Sequence, residues 1–82
     1  MSIRDQVRQF ITTNFYVPDP QALGDETSFL DTGIIDSTGV LELVNYIEGR
    51  FGFKVADEEL VPENLDSINN LVRFIAKKTG QA

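Results

Sequence analysis

Apolar residues recur at three- and four-residue spacing in three separate stretches of this chain, and no stretch alternates apolar with polar residues as a half-buried strand would. Helices with apolar stripes and no sheet to cover them bury those stripes against one another. The pattern predicts an all-α fold, a small four-helix bundle of three main helices and one short one.

Ile3, Val7, Phe10, Ile11 and Phe15 form the first stripe, with Ser2 placed to cap it. Pro18, Pro20 and Gly24 then follow in quick succession, removing backbone donors and ending the helix near Phe15. The connection runs on to Asp36, long for an ordered loop, yet Leu23, Phe29, Leu30, Ile34 and Ile35 give it side chains to bury. A packed loop between helices one and two is expected.

The second stripe, Val40, Leu41, Leu43, Val44, Ile47 and Phe51, lies between Asp36-Ser37 and a stopping Gly52. Beyond it, Asp57 is expected to cap one short helical turn that Pro62 closes. Asp66-Ser67 open a last helix with Ile68, Leu71, Val72 and Ile75 on its stripe and Phe74 on the flank. Lys77 and Lys78 stand in its last turn and Gly80 beyond.

With 82 residues the chain has room for one core, so a single domain over 1–82 is expected. Apolar residues at 41% and charged ones at 24% place it among folding rather than disordered sequences. No apolar run reaches the roughly 18 residues of a membrane span, and the Met-Ser-Ile-Arg-Asp start lacks a signal-peptide core, so a cytoplasmic monomer is expected. Thirteen acids against seven bases give a net charge of −6, which argues against nucleic acid or anionic membrane and for basic protein partners.

Cysteine and histidine are both absent, which removes disulfides, the usual zinc ligands and any thiol chemistry of the chain's own. Ser37 has no histidine to act as its base, so a serine hydrolase is excluded and no catalytic role is expected. Asp31 to Glu42 has the length of a calcium loop, but Gly33 and Ile35 occupy ligand positions, and no metal is expected.

What remains is the polar step Asp36-Ser37 between an apolar loop segment and an amphipathic helix. A helix start offers unpaired amides and the positive end of the dipole, a setting that favours a phosphate attached to the serine. Asp-Ser before a helix is also an ordinary cap, and Asp66-Ser67 repeats it, so the dipeptide alone does not discriminate.

The order of parts does. Helix one, the long loop, Phe29-Leu-Asp-Thr-Gly-Ile-Ile-Asp-Ser, the Leu-Glu-Leu-Val helix, Phe51-Gly-Phe-Lys-Val, an Asp-Glu-Glu turn and a closing helix together resemble the acyl and peptidyl carrier proteins. The resemblance covers nearly the whole chain and is most specific from Phe29 to Val55.

It implies that Ser37 bears 4′-phosphopantetheine, with Asp36 as the preceding motif acid. The arm would come from coenzyme A through a magnesium-dependent phosphopantetheinyl transferase. Its terminal thiol would then hold an acyl or aminoacyl group as a thioester. A loading ligase and downstream transferases or synthases of fatty-acid, polyketide or nonribosomal-peptide assembly would be the partners. They are expected to dock on the second helix, at Thr38, Glu42 and Glu48, with Asp57, Glu58 and Glu59 nearby.

Thr38-Gly39 stands where many fatty-acid carriers have Leu or Met after the serine, and the second helix carries fewer acids. Gly-Ile-Ile-Asp-Ser resembles instead the segment of free-standing carriers loaded by adenylating ligases, which points to a specialised carrier. Gly39 is read as leaving room for a partner beside the arm. A cargo hidden between helices would be lined by Val44, Ile47, Phe51 and Ile68, although helical spacing reads each of them first as plain core. The alternative from another class is an unmodified acidic interaction module.

Overall fold

The computed structural model describes residues 2–19, 21 and 23–80. Among them the chain forms α1 (Ile3–Asn14), α2 (Phe29–Thr32), α3 (Ser37–Phe51), a 3-10 turn (Asp57–Glu59), α4 (Pro62–Leu65) and α5 (Ile68–Thr79), with no strand.

Each long helix starts on a side-chain cap. Ser2 accepts the Asp5 amide at 3.1 Å, Asp36 that of Gly39 at 2.7 Å, and Ser67 that of Asn70 at 3.1 Å, each satisfying one otherwise orphaned donor. At the far end of α3, Gly52 has φ +78°, a left-handed conformation that glycine adopts without a Cβ penalty. Pro20 lies outside the described residues; the first helix ends on an extended Phe15 before it.

One face of every helix meets in a single core. Val7 and Ile11 of α1, Leu43 and Ile47 of α3, and Ile68, Leu71 and Ile75 of α5 are fully buried. Removing a side chain of this kind down to alanine typically costs about 2–5 kcal/mol. α5 is the common partner, packing against α1, α3 and α4.

The long connection packs as expected. Leu23, Phe29 and Ile35 are buried in the core. Arg8 donates to the Leu23 carbonyl at 2.6 Å and pairs with Asp25 at the same distance, while Arg4 reaches Asp25 at 2.9 Å. The Asn69 amide donates to the Asp25 carbonyl at 2.9 Å, joining the loop to α5.

Four local expectations need correction. The connection contains a helical turn of its own, α2, capped by Ser28, because Ser28 accepts the Asp31 amide at 3.1 Å. Asp57 does not cap the short turn: Ala56 precedes it, and the side chain of Glu59 reaches back to the Ala56 amide at 2.9 Å. Pro62 opens α4 instead of merely closing that turn, since a first helical position needs no amide donor. Phe74 is core rather than flank, buried against Phe53 in an edge-to-face pair with ring centroids 5.9 Å apart.

Candidate functional site

The two Asp-Ser steps, alike in sequence, differ in register by one residue. At the start of α3 the cap is Asp36, so Ser37 is already the first helical residue and its side chain is exposed. At the start of α5 the cap is Ser67, whose hydroxyl oxygen is occupied by the Asn70 amide and which is only 4% exposed. Asp66 turns elsewhere, to the Leu30 amide at 2.9 Å and the Ser28 hydroxyl. The hydroxyl of Ser37 is thus open at the amide end of a 15-residue helix, and that of Ser67 is enclosed.

Gly39 is buried two residues after Ser37. A Cβ there would stand 2.9 Å from Cε1 of Phe15, 3.1 Å from Cγ2 of Ile35 and 3.4 Å from Oδ1 of Asp36. The room that glycine leaves is therefore taken by the Phe15 ring and is not open to a partner.

Beside Ser37 opens an apolar groove of about 310 Å³, at the small end of the range for ligand sites. Its walls come from α2, the start of α3 and the segment from Leu60 to Asp66. Leu30, Leu41, Leu60 and Val61, all among the exposed large apolar residues of the fold, line it together. Leu30 and Leu41 thus depart from the expectation that they pack inward; at 47% and 58% exposure they form the groove instead. Val44, Ile47, Phe51 and Ile68 belong to the core, Ile47 and Ile68 fully buried and Val44 and Phe51 packed against it, and none of the four lines the groove.

The expected docking residues divide into exposed and engaged. Thr38 and Glu42 are exposed on α3, and Asp57 and Glu58 on the 3-10 turn. Glu48 is partly buried and accepts the Val55 amide at 2.8 Å, so it ties the segment after α3 back onto the helix. Glu59 accepts the Ala56 amide and pairs with Lys78 at 2.9 Å, and these two partners hold its carboxyl below the ordinary range. The sequence gives no sign of either engagement, since the turn after α3 brings Val55 back to Glu48 and the packing of α5 brings Lys78 to Glu59.

Among the described residues no group of three or more potential ligands stands ready for a metal. Among the same residues no helix is long and apolar enough to cross a membrane.

The family described as phosphopantetheine attachment site matches residues 5–75. The acyl carrier protein of Campylobacter concisus is 34% identical over 77 residues, covering 94% of this chain and 96% of its own. That of Bdellovibrio bacteriovorus is 31% identical over 78 residues, covering 95% and 96%. That of Wolinella succinogenes is 29% identical over 75 residues, covering 92% and 95%. These matches do not favour an unmodified interaction module. The chain belongs to the acyl carrier protein family, a carrier whose covalent cofactor is 4′-phosphopantetheine.

Proposed function

We propose that Ser37 carries the arm and that the chain delivers an acyl or aminoacyl thioester to partner enzymes, itself performing no bond-making step. The observation that carries this reading is the register of the two Asp-Ser steps: Asp36 does the capping and leaves the Ser37 hydroxyl exposed, while Ser67 is spent as a cap and buried.

The residues present fit such a group. By helix geometry the first amides of α3 have no intrahelical acceptor, and with the dipole they favour an anion on Ser37. The groove next to it offers apolar surface to the arm or to a small apolar cargo. When bound, the cofactor supplies the thiol that this cysteine-free chain lacks. The Ser37 oxygen would form a new phosphoester bond with the phosphopantetheine phosphate of coenzyme A as that phosphate's pyrophosphate bond breaks, its proton passing to a base of the transferase and adenosine 3′,5′-bisphosphate leaving with the electron pair of the broken bond.

Exposed Thr38, Glu42, Asp57 and Glu58 are proposed as docking contacts for a phosphopantetheinyl transferase, a loading ligase and downstream transferases or synthases. An acidic surface speeds encounter with basic partners more than it tightens the complex. A tethered cargo raises its effective concentration at each docked enzyme without new contacts. A monomer working in the cytoplasm, specialised in its cargo as the Thr38-Gly39 step suggests, completes the proposal.

Incubation with coenzyme A, magnesium and a promiscuous transferase tests it by intact mass. A single phosphopantetheine adduct on the wild type and none on Ser37→Ala is expected. Modification of Ser37→Ala to the same extent would overturn the assignment.

A further inference from the structure

We infer that Phe15 is a positioning residue for Ser37, acting through Gly39 to fix the first turn of α3. This rests on Ser37 being the attachment residue and adds a part of the chain far from it in sequence.

A helix start is its least constrained part, because its first amides lack intrahelical acceptors. Here the first turn is gripped from two sides. Asp36 binds the Gly39 amide at 2.7 Å, and the Phe15 ring closes against the Gly39 backbone, where even a methyl group would come within 2.9 Å of it. Ile35, the second neighbour of that point, is only 1% exposed and has little freedom to yield.

The ring is itself anchored. Phe15 meets Phe10 edge to face at 5.9 Å, Phe10 stacks on Tyr46 at 4.0 Å with planes 10° apart, and Tyr46 meets Phe51 at 6.3 Å. A ladder of four aromatic side chains thereby links the end of α1 to the last turn of α3, and its upper rung bears on the turn that holds Ser37. Glycine inside a helix costs up to about 1 kcal/mol relative to alanine, and the close approach of the ring is a physical reason for it here.

The test uses wild type, Gly39→Ala, Phe15→Leu and the double variant, each with its folded fraction fixed by circular dichroism and urea titration. Initial rates of phosphopantetheine transfer give kcat and KM for the carrier. Gly39→Ala is expected to lower kcat about tenfold with KM within about twofold, since a misplacement near 1 Å costs roughly a hundredfold and relieving a 2.9 Å contact takes a smaller shift. Phe15→Leu should lower kcat about threefold, and the double variant should recover most of the Gly39→Ala loss because the smaller side chain frees the space. Variants that are folded and match wild-type kcat would overturn the inference while leaving the Ser37 assignment intact. Should Gly39→Ala fail to fold, Phe15→Leu decides on the same criterion. Absence of any adduct on the wild type would instead remove the Ser37 assignment, and this inference with it.

Discussion

Asp66, at the corner between α4 and α5, accepts the amide of Leu30 at 2.9 Å across the bundle. The same carboxylate accepts the Ser28 hydroxyl, and the Asp66 carbonyl accepts the Phe29 amide at 2.8 Å. One residue therefore fastens α2 to the α4–α5 corner, and the two together form a wall of the groove beside Ser37.

Asp66→Ala leaves the Leu30 amide and the Ser28 hydroxyl without this acceptor. A loss of about 2 kcal/mol in unfolding free energy is expected, within the range for hydrogen bonds to a charged group. Asp66→Asn, which keeps one acceptor oxygen, should lose less. Urea midpoints equal to wild type for both variants would contradict the strap.

Glu42 and Glu48 should separate cleanly. Glu42→Lys, on an exposed side chain, is expected to slow phosphopantetheine transfer about fivefold at low ionic strength and progressively less as salt screens the charge. Glu48→Ala frees the Val55 amide and should cost about 1–2 kcal/mol of stability instead. A salt-dependent rate loss for Glu48→Ala with unchanged stability would reverse the two roles.

The division between Glu42 and Glu48 also marks the limit of what the sequence reveals. The long helices are legible because their signals are local: Ser2 and the two Asp-Ser steps as starts, apolar stripes after them, and Gly52 and Gly80 as stops, whereas which residue of each Asp-Ser step caps is settled only by the fold. Glu48 looked like one more acid on a helix face, because its partner is set by the turn that brings Val55 back. Likewise Leu30 and Leu41 read as residues to bury, and only tertiary packing gathers them with Leu60 and Val61 into a groove. Gly39 reads as room for a partner, and only the fold shows that Phe15, 24 positions away, fills that space.

Glu59 gives a pH signature. The Ala56 amide first and Lys78 second lower its carboxyl below the ordinary 4.5. A depressed folded-state value stabilises the fold above the unfolded value, and that gain fades as pH falls through the folded one. Wild type should exceed Glu59→Gln in urea midpoint at neutral pH, and the gap should close below 4.5. A gap independent of pH would contradict the clamp.

Leu41→Gln should leave stability within about 0.5 kcal/mol, because the side chain is 58% exposed. Loading a small apolar acyl group onto the wild-type holo protein should shift the amide resonances of Leu30, Leu60 and Val61, and the substitution should diminish those shifts. Shifts confined to the immediate neighbours of Ser37 would show that the cargo does not use the groove.

The most direct measurement is a tryptic map of protein modified by the transferase. Among the internal cleavage sites, Arg8 and Arg50 bound the peptide that contains Ser37, and Lys54 and Arg73 bound the one that contains Ser67. The adduct should fall wholly on the first peptide and fragment to Ser37, with the Ser67 peptide unmodified. An adduct on the Ser67 peptide, or none on either from folded protein, would contradict the central claim that the exposed serine at the start of α3 holds the arm.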